Sequence, residues 1–419
     1  MDLHKACVSL RAQQHSQQLN VTQLWSGPDE ECSVSVFSQG STGSSSSSLD
    51  IQQQRFVPVV AYQTLLTSSA ELVRRSFAAS GLGAIIVTDI PSYCVHRNSL
   101  LPLAHQLHKQ PLLVKQSAED CKSFYQLGWH HFSALNQTAG GQNTATSDHN
   151  SSSTVDVGME SLYNNPFHEQ PAAGIAGSGG AESAAAALLD VPFFARANCW
   201  PEEARVPGLR DHFLGASAAM QDAGMAIAKL LDQLRPADHA GQAGTSQLSG
   251  LVADQLGHSC VHKGRLINYL PVDQPDESRE QLCWRSWHTD FGGLTAISAP
   301  MYFDDASGGR IPCPDSGAGL YVKHADGTEV HAPIPDNGVL FLAGDALQDA
   351  TGGAVRATPH LVRAVAGPAA CTTHRAVFVL FLQPNVNTPM TSVGSPDFGS
   401  FASKKYENMK GVAMKNRTF

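Results

Sequence analysis

A chain of 419 residues, 42% hydrophobic and 16% charged, holds enough apolar material for one large domain or two ordinary ones and reads as a globular protein. Its formal net charge of −9 offers no basic footprint for nucleic acid. No apolar run reaches the ~18 residues of a membrane span, and no signal-peptide core follows Met1.

The chain opens with a polar segment. Lys5 and Arg11 would suit an organelle transit peptide, but Asp2 and the Asp29-Glu30-Glu31 trio run against one, so a cytoplasmic protein is expected. Residues 1–55, with a Ser/Gly run near Gly40–Ser48, read as a disordered tail, because such composition cannot bury enough apolar surface to offset ordering entropy. Ordered structure should begin near Phe56. "FVPVVAY" reads as a short strand, and Ser68 or Ser69 as the cap of a helix over "AELVRRSFAAS" that ends at Gly81. "GAIIVTDIP" follows as a β-branched strand stopped by Pro91. Polar residues 136–154 and Gly/Ala-rich residues 172–187 read as surface insertions within an N-terminal α/β region spanning 56–240, and a shorter polar stretch lies near Ala240–Gly250. Pro207–Leu234 carries apolar residues at helical spacing, with Pro207 suited to a first turn.

From about Val261 the texture changes to short strands separated by Gly, Pro, Asp and Asn. "GRLINYLP", "GLTAISAPMYF", "GLYVKHADGTEVHAPI", "GVLFLAG" and "HRAVFVLFLQP" point to an all-β sandwich or barrel over residues 255–395, followed by an extension over 396–419. Asp326-Gly327 predicts a two-residue hairpin turn. "HRAVFVLFLQP" is apolar on both faces and hence central. Nine cysteines (Cys7, Cys32, Cys94, Cys121, Cys199, Cys260, Cys283, Cys313, Cys371) are odd in number and never in a CxxC pair. That argues for thiols in a reducing compartment rather than a disulfide framework or a zinc knuckle.

Two His-x-Asp pairs carry the candidate chemistry. His288 and Asp290 lie in "SWHTDFGGLTA"; on a strand, positions i and i+2 leave the same face and reach one ion. His324 and Asp326 sit at a polar hairpin tip, where ligands could not be shielded from water. Two imidazoles and a carboxylate on one face of an octahedron is the ligand set of non-haem Fe(II) oxygenases. His360 in "GGAVRATPHLVRA" is the best third ligand, with His374 and His331 as rivals. Arg375 opens the central strand and needs a partner, either a structural carboxylate or the carboxylate of a dicarboxylic acid.

Together these segments resemble the 2-oxoglutarate/Fe(II)-dependent dioxygenases of the isopenicillin N synthase-like group. "NYLP" at Asn268–Pro271 looks like the family's Asn-Tyr-Tyr-Pro strand, "WHTDFGGLT" like its metal strand, and "GLYVKHADGTEVHAPIPDNGVLFLAGDALQDATGG" like its hairpin, apolar strand and Gly-Asp-x-Leu-Gln turn. The resemblance implies a mainly β fold with flanking helices and a double-stranded β-helix (jelly-roll) core. It implies His288, Asp290 and His360 as Fe(II) ligands, with Arg375 and Tyr269 binding 2-oxoglutarate. Phe291 then becomes a wall of the substrate pocket, and Trp287, on the opposite face, part of the core. The implied partners are O2 and a small organic molecule that is hydroxylated or desaturated, with succinate and CO2 as co-products and ascorbate helpful in assay. One departure stands out: the family's Arg-x-Ser anchor reads Arg375-Ala376-Val377, without the hydroxyl. That leaves open an Fe(II)/O2 oxidase that does not use 2-oxoglutarate; from another class, the alternative is a catalytically silent jelly-roll binding protein.

Overall fold

The computed structural model describes residues 56–132, 155–156, 158–170, 191–232, 252–272, 282–390 and 395–415. The expected N-terminal tail and the polar insertions over 136–154 and 172–187 lie outside these residues, as does the polar stretch near 240–250.

In chain order the strands are β1 (Val59–Ala61), β2 (Ala84–Thr88), β3 (Gly128–Phe132), β4 (Val155–Asp156), β5 (Met159–Asn164), β6 (Lys263–Tyr269), β7 (Leu282–His288), β8 (Leu294–Ser298), β9 (Met301–Asp304), β10 (Arg310–Ile311), β11 (Gly319–Lys323), β12 (Glu329–His331), β13 (Gly338–Ala343), β14 (His360–Arg363) and β15 (Thr373–Leu382). They form two sheets. The larger runs β1-β2-β13-β8-β15-β6-β5-β3, and the smaller β12-β11-β14-β7-β4. Strand β15 is central, as its two apolar faces require: β6 lies along one side, and β8 and then β9 share the other. Strands from the N-terminal region occupy both ends of the larger sheet.

Period-two alternation sorts β15 cleanly. Val377 and Val379 join Ile267, Tyr269, Trp284, Leu320, Val322 and Val362 in a cluster drawn from both sheets, which is the inter-sheet core. Ala376, Phe378, Leu380 and Leu382 face the other way, into a cluster with the helices. The helix Leu209–Asp232 covers that outer face through Phe213, Met220, Ile227 and Leu231. It approaches so closely that a Cβ at Gly224 would stand 2.4 Å from Leu382 Cδ1. The helix Tyr93–His108 lies beside it, pinned by Arg97, which donates to the carbonyls of Ala299 (3.0 Å) and Pro300 (2.8 Å). Those two carbonyls mark the break between β8 and β9, where Pro300 supplies no N–H to the ladder.

Several expectations are met with shifted edges. The helix after Ser69 spans Ala70–Phe77, but the Ser69 hydroxyl donates to Thr64 O at 2.9 Å instead of capping it. Pro207 stays outside the long helix, which starts at Leu209. The β11–β12 hairpin forms, yet Lys323 pairs with Glu329, so the connection runs over residues 324–328 rather than two residues. Gly327, at φ +89°, supplies its left-handed step. No disulfide joins the cysteines of the described residues, and no helix there is long and apolar enough to cross a membrane.

Candidate active site

Strand β7 carries Trp284, Ser286 and His288 on its inner face and ends at His288. Asp290 therefore does not share the strand with His288 as expected; it lies in the turn beyond it. That turn is held from outside. The helix Asp345–Ala350 aims its first amides at the turn's backbone, Asp345 N donating to Asp290 O (2.8 Å) and Ala346 N to Gly292 O (3.0 Å). Gly344 just before it donates to Gly293 O (2.8 Å), and a Cβ there would meet Gly292 O at 2.2 Å. The Gly-Asp dipeptide of "LAGDALQ" is thus required by close backbone approach. The Asp290 carboxylate is oriented by Thr295, whose hydroxyl donates to Oδ2 at 2.7 Å.

His360 opens β14 directly opposite His288 in the ladder, and the two rings stand 4.2 Å apart between centroids. Nε2 of His288 is 3.8 Å from Asp290 Oδ1, and Nε2 of His360 is 3.7 Å from Oδ2. Each ring places Nδ1 on the backbone carbonyl two residues before it: His288 on Ser286 (2.8 Å) and His360 on Thr358 (3.0 Å). A neutral ring that donates from Nδ1 has only a lone pair at Nε2. Burial pushes the His288 pKa well below its ordinary value, and the neighbouring His360, Arg285 and Arg265 push it further the same way. Two lone pairs thus converge on an acceptor-only carboxylate, with the gaps too long for a bridging proton. That donor set calls for a cation, and the carbonyl partners hold the rings as metal-binding histidines are held.

Arg375 projects into the inter-sheet space from the same face of β15 as Val377. It is 2% exposed, and its Nε has no hydrogen-bond partner. Among the described residues no carboxylate pairs with it. The guanidinium lies over the rings of Tyr269 (5.2 Å) and Trp284 (5.9 Å). Its ladder partners are Tyr269 on β6 and Tyr302 on β9, and the Tyr302 phenol lies close enough to feel the guanidinium, which opposes the rise that burial imposes on its pKa. Val377 is packed among apolar inner-face neighbours, so no hydroxyl enters at that position.

Other expectations change. Phe291 packs against Phe398 and Tyr406 of the C-terminal helix Phe398–Lys415, at the edge of an apolar cluster. Trp287 is not core: it is half-buried, with Lys323 Nζ 4.1 Å above its ring. His324 is buried rather than at an open tip, its Nε2 meeting Ser80 O at 2.8 Å while Asp326 stays exposed. The rivals to His360 fall elsewhere. His331 stacks on Tyr321, and His374 faces out of the inter-sheet space. Thr295, Tyr302 and Gly344 were not singled out by sequence. Only Gly344, in a Gly-Asp step before a short helix, carried a readable signal.

No protein-family model matches the chain, and no curated protein matches its sequence. Solved structures do. A full-length Neurospora crassa protein in complex with alpha-KG aligns with a TM-score of 0.52 at 16% identity, over 84% of this chain and 92% of that one. A 2OG-Fe(II) oxygenase family protein from Caulobacter crescentus aligns with a TM-score of 0.54 at 15% identity, over 84% and 99%. JOX2 in complex with 2OG, Fe and JA aligns with a TM-score of 0.54 at 14% identity, over 83% and 84%. At such identities the likeness concerns the backbone, and it is extensive: this chain has the fold of the 2OG-Fe(II) oxygenases.

Proposed function

We propose that the protein is an Fe(II)- and 2-oxoglutarate-dependent dioxygenase with a double-stranded β-helix core, acting on a small organic anion. The observation that carries this reading is the convergence of two imidazole lone pairs and a carboxylate, His288, Asp290 and His360, in the same inter-sheet space as a buried guanidinium without a carboxylate partner. Those three side chains fit Fe(II) as a facial set and leave the opposite positions open. When bound, the iron supplies O2 activation coupled to oxidative decarboxylation of 2-oxoglutarate to succinate and CO2, one oxygen atom entering the organic substrate.

The chain's own contribution is position and exclusion of water. Ser286 O and Thr358 O fix the ligand rings, and Thr295 fixes the carboxylate. Arg375 holds the far carboxylate of 2-oxoglutarate, with a charge-assisted bond to an otherwise unsatisfied group. The hydroxyl missing at Val377 is replaced by the Tyr302 phenol on the neighbouring strand, close to the same guanidinium. This favours 2-oxoglutarate use over the oxidase alternative.

The substrate's charge is read from the other end of β6. Arg265 shares the inner face with Tyr269 four residues on, about 13 Å along the strand. Its guanidinium lies over Tyr163 (4.8 Å) and donates to the Ser161 hydroxyl (3.1 Å) and to Met159 Sδ. Among the described residues it has no carboxylate partner. Arg375 and Arg265 thus stand apart on one inner face of the β6–β15 ladder, which suits a dicarboxylic co-substrate at one end and an anionic substrate at the other. The bound molecules of the structural neighbours, alpha-KG for the Neurospora crassa protein and 2OG with JA for JOX2, accord with a small-molecule reading. Purified protein with Fe(II), ascorbate, 2-oxoglutarate and a panel of small carboxylic acids should release succinate in step with a product gaining one oxygen. Iron binding without succinate from any acid, or succinate release unaffected by His288→Ala, would overturn it.

A further inference from the structure

His374, one residue before Arg375, points to the opposite face of β15 and meets a second His/Asp/His cluster. Its Nε2 is 2.9 Å from Asp305 Oδ1 in the turn after β9. From the helix Tyr93–His108 come His105 and His108, one turn apart on one face. Ring centroids of His105 and His374 stand 4.7 Å apart, and those of His108 and His374 4.9 Å. Donor atoms of His108, Asp305 and His374 all lie within 4.8 Å of one another. His108, Asp305 and His374, from three separate elements, thus surround one spot, with the His105 ring beside them.

Two features show that hydrogen bonding alone leaves this cluster incomplete. His105 is 5% exposed, stacks on Phe303, and has no partner at either ring nitrogen. Buried polar atoms of this kind are rare and costly without a partner. Asn268, also buried, places its amide nitrogen 3.1 Å from His374 Nδ1 and leaves its oxygen unsatisfied. Turning that amide over, an exchange of O and N that leaves the group's shape unaltered, satisfies the oxygen with Nδ1–H and frees the Nε2 lone pair toward Asp305. His374 then has the arrangement His288 and His360 already show. His108 has Nδ1 3.3 Å from the Glu160 carboxylate, off line for a hydrogen bond but close enough to swing into one, and so keeps Nε2 for a ligand bond. A carboxylate behind a ligating histidine is a common outer partner in metal sites. Two cations compete: Lys109, whose Nζ lies 2.5 Å from Asp305 Oδ1 on a half-exposed side chain that can withdraw into solvent, and the buried Lys115, which holds the same Glu160 oxygen at 2.9 Å.

We propose that His108, His374 and Asp305, completed by the neighbouring His105, form a second divalent-cation site, selective for zinc-class ions and structural in role. The imidazole-rich set suits Zn(II) and disfavours Mg(II) and Ca(II), which want oxygen ligands. Three converging donors, with the unpartnered His105 ring beside them as the fourth, would leave no open position, as in a structural zinc site. The bound ion ties the helix Tyr93–His108 to β15 and to the β9 turn, directly behind Arg375.

The site is independent of the iron reading and is tested without turnover. Full-length protein stripped with chelator is titrated with Zn(II), and bound metal is counted after gel filtration. Wild type should hold two equivalents and His288→Ala one. Asp305→Asn, whose side chain is half-exposed and keeps a hydrogen bond to His374, should weaken the second equivalent by at least about tenfold, with unchanged circular dichroism. His108→Ala should do the same. With Co(II) in place of zinc, the second equivalent should bring a visible absorption band that Asp305→Asn removes. A wild type that binds one equivalent, lost in His288→Ala, would overturn the proposal. So would a second equivalent bound equally well by Asp305→Asn and His108→Ala.

Discussion

The two faces of the β6–β15 ladder differ in the charge they gather. The inner face presents Lys263, Arg265 and Arg375, three buried or half-buried cations among tyrosines, and the described residues offer them no carboxylate. The outer face presents Asn268 and His374 to two further histidines and Asp305. Strand alternation alone separates them, since adjacent residues leave opposite faces. A face of guanidinium groups without carboxylate partners waits for anions; a face of imidazoles flanked by Asp305 and Glu160 waits for a cation. The proposed iron ligands sit at the inner face's rim, where the two kinds of demand meet.

The sharpest break in this contrast comes from the rim. His288→Ala or His360→Ala should lower succinate formation more than about a hundredfold, since even an outer-partner loss costs about 10–100-fold, with the iron content measured in parallel. If either variant keeps full turnover, the inner face is not the catalytic one. Next comes Arg375→Ala, which should raise the KM for 2-oxoglutarate by about 10- to 150-fold through loss of a charged hydrogen bond, without loss of iron. Lost iron instead would mean that Arg375 supports the ligand shell. Tyr302→Phe removes a neutral hydroxyl and should raise the same KM by about two- to tenfold. Adding Val377→Ser to that variant should restore affinity if the two hydroxyls serve one carboxylate; no rescue would separate their roles.

The smallest effect concerns stability and pH. Lys263 sits among Phe193, Phe194 and Tyr406, and burial lowers its pKa from 10.5 to about 7. Between those values the unfolded chain binds a proton that the folded chain does not, so stability rises with pH across that window and the penalty is largest below it. Lys263→Met should therefore raise Tm by roughly 2–5 °C at pH 7, and the gain should shrink as pH approaches 10.5. A gain that stays constant across that range would mean that packing, not ionisation, is responsible.

Much of the inner face was legible in sequence because its chemistry is short-range. His288 and Asp290 are two residues apart, and a lone arginine at the mouth of an apolar strand announces an unmet charge. Their exact setting was less legible. Asp290 reaches its place through a turn clamped by amides more than fifty residues later in the chain, and Trp287 is covered by a lysine from another strand rather than by core. The outer cluster was invisible for the same reason in stronger form. His105 and His108 look like ordinary helix residues, Asp305 like an ordinary loop residue, and His374 gains meaning only when three distant segments meet. His324 misleads in the opposite sense, since the carbonyl that buries it comes from Ser80. Local pattern reports which face a residue takes; it says nothing of what a remote element brings to that face.

Strand β15 can be regarded as a reading frame. Its consecutive residues His374 and Arg375 are addressed to different chambers, and the ladder to β6, in step from Arg375 to Phe381, holds the frame. A slip of one residue would deliver a guanidinium to the imidazole cluster and an imidazole to the anion chamber, emptying both of the groups they require. The short 3-10 segment Pro368–Thr372 just ahead of the strand, anchored by the buried Ala370, is therefore not free to pull. Length changes there are tolerated only while the strand keeps count, which makes this loop a place where a single inserted residue is either silent or disables both sites at once.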